Sequence, residues 1–440
     1  MTLDLSRYHA VARAAAAPTT EGRLSDVLGL VLEARGCSAA IGDVFEIRRA
    51  NGGPPVEAEV VGLRGDRTLL MPLSPVHGLS AGAPLRRVGH GARARVGAEL
   101  LGRVVDGLGR PLDGKRPPML DAERALHGVT VNPLRRRPIE EPVWVGVRAI
   151  DGALTLAKGQ RIGIFAGGGV GKSTLLAMMV RNTVADVAVI ALVGERGREV
   201  EEFVNRTLGP AGLRRSVVVA ATSSEPPLVR VRASLYATAI AEHFRALGLD
   251  VLLVMDSVTR FAMAMREIGL AIGEPPTTKG YTPSVFAALP RLLERAGTSQ
   301  GKGSITGIYT VLVEGDDLSD PVADATRAIL DGHIVLSREL AERGRFPAID
   351  LPRSVSRVMR QVVRPEHAAL AARLRETLAA HREAEDLLAV GAYRPGSVPR
   401  LDDALARIAA VEAFLEQRTD DRCAPESTLA ALAAIYGDSR

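Results

Sequence analysis

GIFAGGGVGKST, residues 163–174, sets Gly167, Gly168, Gly169, Val170 and Gly171, then Lys172, Ser173 and Thr174, between an apolar run and a helical stretch. Residues 160–165 suit a short buried strand, and residues 173–181 (STLLAMMVR) have helical spacing. The glycines between them permit positive φ and let backbone N–H groups turn inward around phosphate oxygens. The helix N-terminus adds its partial positive charge. At this spacing Lys172 reaches the β and γ phosphates of a nucleoside triphosphate, and the Ser173 hydroxyl completes a Mg²⁺ shell. Ala166 stands where the strict pattern has glycine; its methyl precedes the glycines that must approach phosphate, so it is tolerable. Only five of the 56 basic residues are lysines, so the one at 172 is poor filler. The bland alternative, a chance glycine-rich turn, lacks the strand-loop-helix context seen here.

At 440 residues and 46% hydrophobic content the chain can bury sizeable cores, with two or three domains expected. Two cysteines, Cys37 and Cys423, are too few for a disulfide framework and fit a reducing cytosol. No apolar run approaches the roughly 18 residues of a membrane span. The opening MTLDLSRYHAVARAAAAPTT makes a poor signal peptide and reads as a short helix ending before Pro18. A net charge of +5 is mild, only 3% of residues are aromatic, and no basic run exceeds Arg135, Arg136 and Arg137, so no nucleic-acid partner is expected.

Three textures follow one another. Residues 22–90 carry short β-type segments (24–35, 40–48, 56–63, 68–73) separated by turn signals such as NGGPP, the spacing of a small barrel or sandwich. From about 97 to 363 apolar strands alternate with helical stretches, predicting a mainly parallel sheet covered on both faces. Residues 366–390 and 398–418 then read as helices split by Gly391, Pro395 and Pro399. The expected domains are a helical tail at 1–21, a β domain at 22–92, a nucleotide-binding α/β domain at 93–363 and a helical domain at 364–440.

Chemistry concentrates at two strand ends. The apolar run 187–193 stops at Gly194-Glu195-Arg196, and 251–255 stops at Asp256. Ligands of parallel sheets sit at the carboxyl ends of strands, so both carboxylates should face the phosphate loop. There Asp256 would bind Mg²⁺ through its water shell, and Glu195 would polarise the attacking water. The competing readings are that Asp256 caps the next helix and that Glu195 pairs with Arg196 or Arg198.

GGGVGKST (167–174), GERGREVEEF (194–203), VLLVMDSVTRFAMAMREIGLAIGEPPTTKGYTPSVFAALPRLLERAG (251–297), GSITGIYTVLVEGDD (303–317), ILDGHIVLSREL (329–340) and FPAIDLPRSVSRVM (346–359) together resemble the type III protein-export ATPases. These are relatives of the rotary ATP synthase catalytic subunit that serve flagellar export and virulence injectisomes. The resemblance runs from about residue 22 to 418. It implies an N-terminal β-barrel, a RecA-like P-loop ATPase core and a C-terminal helical domain, with ATP and Mg²⁺ as ligands. It also implies a cytoplasmic location, peripheral to the inner membrane.

By this resemblance Glu195, beside Arg196, activates water, and Arg260 in DSVTR lies near the γ-phosphate. Arg357 in SVSR matches an arginine finger that enters a neighbouring subunit's site. Phe346 stands where many relatives stack a tyrosine on adenine. Tyr393 in GAYRPGS either approaches the nucleotide or simply packs. Because one chain carries Lys172, Glu195 and Arg357, copies of itself can build every site, and a homohexameric ring is expected. The resemblance further implies a stator-like regulator, a central stalk protein, an export gate and substrate-chaperone complexes as partners. GYTPSVF and GAYRPGS look more flagellar than injectisome. Other readings are a rotary synthase catalytic subunit, which would need a different partner chain, and a noncatalytic sister subunit, which would lack Glu195. A ring-shaped RNA translocase would want stacking aromatics near the N-terminus, yet residues 22–90 hold only Phe45.

Overall fold

Alternating inward residues close the first element group on itself. The computed structural model describes residues 22–89, 93–128, 131–313, 315, 317 and 319–437, so the tail helix expected at 1–21 lies outside the described residues. Two compact units form: one up to Arg93 together with Glu267–Pro275, the other Ala94–Arg266 with Pro276–Arg440. In the first, β1 (Gly22–Leu28), β2 (Val31–Arg35), β3 (Val44–Ile47), β4 (Val56–Arg64), β5 (Arg67–Pro72) and β6 (Pro84–Gly89) make a closed barrel in the order β1-β2-β5-β4-β3-β6. Closure removes exposed strand edges. Leu24, Leu32, Phe45, Ile47, Val60, Leu70 and Leu85 fill the interior. Phe45 is fully buried there, so the single aromatic of this stretch is core and offers no face to a base. The segment read as one strand, 24–35, is a hairpin that turns at Gly29, whose φ of 58° favours glycine.

The second unit is organised by β7 (Arg103–Asp106), β8 (Arg161–Ala166), β9 (Val187–Glu195), β10 (Ser216–Thr222), β11 (Asp250–Asp256), β12 (Gly297–Thr298), β13 (Ser304–Leu312), β14 (Gly332–Leu336) and β15 (Ile349–Ser356). Among the described residues these nine strands form one sheet in the order β15-β14-β8-β13-β11-β9-β10-β7, with β12 added on β13. Only β15 on β14 and β12 on β13 run antiparallel. Strands such as VAVIALVG are apolar on both faces because helices cover both faces. Pro227–Ala246 is one such helix, buried along most of its length. α1 (Lys172–Asn182) follows β8, and α2 (Gly197–Glu202) follows β9.

Three helices close the chain: α3 (Pro365–Ala389), α4 (Pro399–Leu415) and α5 (Pro425–Tyr436), each with proline at its first turn. The first two match the expected helices; α5 is additional. Leu374, Val411, Phe414 and Leu432 join the same hydrophobic cluster as Ile164, Leu176 and Ile190 of the sheet layer, so helices and ATPase core share one interior. Glycine is required at 152, where a Cβ would lie 2.9 Å from the Phe414 ring. Two members of the basic run are spent locally: Arg136 donates to the Ala296 carbonyl and Arg137 to that of Ser299. Among the described residues no helix is long and apolar enough to cross a membrane.

The junction between helices and sheet turns on Asp151, which is fully buried. Its carboxylate accepts the N–H groups of Val145 at 3.0 Å and Gly146 at 2.8 Å. Asp151→Ala would orphan two buried donors, so it should cost roughly 2–5 kcal/mol and lower the urea midpoint of this unit. An unchanged midpoint would show that the turn at 145–147 holds without its carboxylate.

Candidate functional site

Strand β8 ends at Ala166, buried to 1% exposure, and the loop turns out of the sheet over Gly167–Gly171 before α1 begins. Gly169 and Gly171 have φ of 80° and 87°, whereas Gly167 and Gly168 stay outside the positive-φ region. A Cβ on Gly168 or Gly169 would meet nothing, so close approach by a ligand, not internal packing, is what small residues permit there. Val170 is buried and anchors the loop. Ser173 and Thr174 are exposed in the first turn of α1, whose N-terminus has no side-chain cap. Its free N–H groups suit an anion.

Register then brings the strand ends to the loop. The Lys172 Nζ lies 2.5 Å from Asp256 Oδ1 and 3.5 Å from Glu195 Oε1. Thr310 Oγ1 of the adjacent strand donates to the same Asp256 oxygen at 2.7 Å. Burial works against the Lys172 charge, yet the two carboxylates outweigh it and hold the ammonium above its usual range. Glu195 moves the other way. Burial, opposed by Lys172 but reinforced by Asp256 and Glu199, pushes its carboxyl up to about 7. Its Oε1 is buried without a hydrogen-bond partner. Glu199, hydrogen-bonded to Glu195, is held below its ordinary value by that bond.

Arg260 runs against Gly194, where a Cβ would fall 2.8 Å from its own, and glycine is needed twice over because φ there is 71°. The Arg260 Nε is buried without a partner. Arg196 sits at the rim, 79% exposed, and pairs with Glu199 rather than Glu195. The competing reading of a Glu195–Arg196 pair is therefore not what forms, and Asp256 holds Lys172.

Lys172, Glu195, Arg196, Glu199 and Arg260 line a cleft of about 1050 Å³ that runs from the loop to Lys279, Tyr281 and Arg338; Asp256 and Thr310 lie buried behind Lys172. Gly171 and Thr174 also border a hollow of about 660 Å³ beside Phe346, walled by Met178, Ala413 and Gln417. Phe346 is 45% exposed, with its ring 3.5 Å from where a Cβ on Gly171 would stand. A stacking surface thus adjoins a phosphate-sized loop. Tyr393 borders neither hollow; its hydroxyl donates to Asp402 Oδ1 at 2.9 Å within the α3–α4 connection.

Arg357 is the one expected site residue that the fold keeps away. Its backbone N–H donates to the carbonyl of Asp331, whose side chain pairs with Arg161 at the start of β8. Because β15 runs antiparallel to β14, Arg357 follows its far end, about 17 Å of strand from Ala166. It is exposed there. Residues that sequence reasoning did not single out are Thr310, Glu199 and Gln417. Glu199 was within reach, since it sits four residues after Glu195; Thr310 and Gln417 had no local signal.

The nucleotide-binding domain of the ATP synthase alpha/beta family matches residues 146–356, the beta-barrel domain of that family matches 24–89, and the EscN ATPase C-terminal domain of type III secretion matches 363–434. The flagellum-specific ATP synthase of Pseudomonas aeruginosa is 51% identical over 423 residues, covering 96% of this chain and 94% of the relative. The type 3 secretion system ATPase of Xanthomonas euvesicatoria is 50% identical over 418 residues, covering 95% and 94%. The assembled ATPase EscN of enteropathogenic E. coli superposes with a TM-score of 0.88 at 46% identity, covering 94% of this chain and 99% of that one; in complex with its central stalk EscO the score is 0.87. A loop built for phosphates, two strand-end carboxylates on one lysine and this similarity along nearly the whole length lead to one conclusion: the chain belongs to the ATP synthase alpha/beta family, as an ATP-hydrolysing type III export ATPase of the kind found among flagellum-specific ATP synthases and type 3 secretion system ATPases.

Proposed function

We propose that this ATPase serves flagellar export, works as a ring of identical copies, and hydrolyses MgATP at sites shared between neighbours. The single observation that carries the shared site is the separation of Arg357 from the loop of its own chain. The assembled state of EscN and its stalk complex support the ring and a central stalk protein here. A stator-like regulator, an export gate, substrate-chaperone complexes and peripheral contact with the inner membrane belong to the same reading by family. Whole-chain identity does not separate the two systems, at 51% and 50%. The flagellar choice rests on residues 280–286 and 391–397, GYTPSVF and GAYRPGS.

The residues fit a magnesium nucleotide. Among the described residues no cluster of three or more His, Cys, Asp or Glu could chelate an ion alone, which suits Mg²⁺ held by Ser173, by Asp256 through water and by phosphate oxygens. When bound, the ion neutralises charge on the phosphates. Lys172, already kept charged, would turn from Asp256 toward the β and γ phosphates, joined by the N–H groups of 167–174. Arg260, with its unpaired Nε, would face the γ-phosphate side. Glu195 would accept a hydrogen bond from the attacking water and orient it in line. Phe346 would stack on the base. Arg196, on the rim, has the weakest support among the proposed catalytic groups.

Arg357→Ala should lose about 10³-fold or more in kcat with nucleotide affinity nearly intact. Mixing it with Glu195→Gln should restore turnover, because a ring of both contains sites with Glu195 from one copy and Arg357 from the next. Failure of the mixture, with both variants verified to co-assemble, would refute the shared site. The pH dependence follows from the raised Glu195 carboxyl, which works only when ionised: kcat/KM should rise with pH through about 7. Glu199→Gln removes a neighbour that raises Glu195, so the acid limb should move to lower pH; a limb that stays put would remove Glu195 as its source. Finally, expression in a bacterium lacking its flagellar export ATPase should restore swimming; rescue of injectisome secretion alone would reassign the system.

A further inference from the structure

Gln417 borders the base-side hollow, yet its side chain is engaged within the protein and has no free N–H for a nucleotide. Its Oε1 accepts the Arg148 N–H at 2.9 Å, and its Nε2 donates to the carbonyls of Gly146 at 2.8 Å and Asp421 at 3.3 Å. The network sets the amide orientation, since a flip would face N–H against N–H and oxygen against two carbonyls. Both amide hydrogens are used, and the residue is 5% exposed. Its backbone N–H, however, donates at 2.9 Å to the carbonyl of Phe346.

The surrounding bonds make this a braced corner. Arg148 Nε donates to the Phe414 carbonyl at 2.9 Å, and its guanidinium also reaches the Glu416 carbonyl. Arg345, beside Phe346, pairs with Glu412 of α4 at 2.6 Å. Arg181, near the end of the loop helix α1, donates to the Thr419 carbonyl at 2.6 Å. The segment 414–419 is thus tied to the ATPase core on one side and to the Phe346 corner on the other. The Phe346 ring, half exposed, owes its place to these backbone ties rather than to burial.

We infer that Gln417 is a positioning residue for nucleotide binding: it holds the Phe346 ring over the base site, so that affinity for the base depends on the docking of the α4 segment, while the phosphate loop binds independently of it. The inference rests on Phe346 stacking the base. Replacing the Gln417 side chain removes its bonds to Arg148, Gly146 and Asp421, while the Arg148 guanidinium still holds the Phe414 and Glu416 carbonyls. Residue 417, whose backbone N–H carries the tie to Phe346, is loosened and the ring can drift, without touching Lys172, Ser173 or the loop amides.

The test compares two ligands by calorimetry on the full chain, ATP and inorganic triphosphate, each with Mg²⁺, in Phe346→Ala, Gln417→Ala, the volume-keeping Gln417→Met and the Phe346→Ala/Gln417→Ala double variant. Phe346→Ala should weaken ATP about tenfold and leave triphosphate within about twofold. Both Gln417 variants should weaken ATP about five- to tenfold with triphosphate again unchanged. The double variant should be no worse than Phe346→Ala alone, because the two act through one ring. If Phe346→Ala leaves ATP affinity unchanged, the stacking reading falls and the inference with it. If that variant behaves as expected but the Gln417 variants leave ATP unchanged, weaken triphosphate as much as ATP, or add to Phe346→Ala, the positioning role alone is overturned.

Discussion

The in-register parallel pairing at the centre of the sheet is the constraint on which the site depends. β8 pairs with β13 from Arg161↔Gly307 to Ala166↔Leu312, and β13 pairs with β11 up to Met255↔Tyr309. Running all of them in one direction delivers the end of β8, Thr310, Asp256 and Glu195 to the same edge. A slip of one residue between β11 and β13 would turn Asp256 and Thr310 to opposite faces and break up the shorter of the two ion pairs of Lys172. The long apolar runs that specify burial on both faces therefore also specify the chemistry.

What gathers there is an odd number of charges: one ammonium and two carboxylates, all largely buried, with side-chain exposures of 11, 16 and 4%. Asp256 has the better claim on Lys172, with the shorter contact and a hydroxyl from Thr310 on the same oxygen. Glu195 is left as the poorly compensated member, and its raised carboxyl is the direct result of burial beside Asp256 and Glu199. A buried carboxylate that is undersatisfied in the protein alone is costly unless a ligand completes it. The unpartnered Nε of Arg260 belongs to the same pattern of groups aimed into the cleft.

Much of this was legible because it is local. A glycine loop between strand and helix, and carboxylates that interrupt apolar runs, are read from neighbours in sequence, and the sheet needs only strand direction to bring them together. The N-terminal barrel was legible as short strands with turn signals, but 24–35 looked like one strand because Gly29 is flanked by leucines on both sides. Thr310 and Gln417 were illegible for a different reason. A threonine inside a strand and a glutamine after a helix acquire meaning only from partners 54 and 269 residues away. Helix α5 was missed because its alanine-rich run has little polar contrast. Phe45 shows the converse: its burial in the barrel follows from strand alternation once the register is known.

The position of Arg357 has a consequence for how such a site must work. Every group proposed to hold phosphate or orient water comes from one edge of the sheet, whereas Arg357 leaves from the other, tied by its backbone to Asp331 and thereby to the opposite end of β8. On the proposed reading a chain alone would bind a nucleotide through the loop and Phe346, with Lys172 and Arg260 of its own beside the phosphates, but would lack Arg357 to meet charge developing on the transferred phosphoryl group. If a neighbouring copy supplies that cation, its arrival and departure set the rate without changing the contacts that give affinity, because the loop and the finger lie on different molecules. Binding energy and transition-state stabilisation would be separated in space, and a small rotation between copies would switch hydrolysis on or off while the nucleotide stays in place. Such a division suits an enzyme whose hydrolysis must follow an external mechanical or assembly signal rather than the supply of substrate alone.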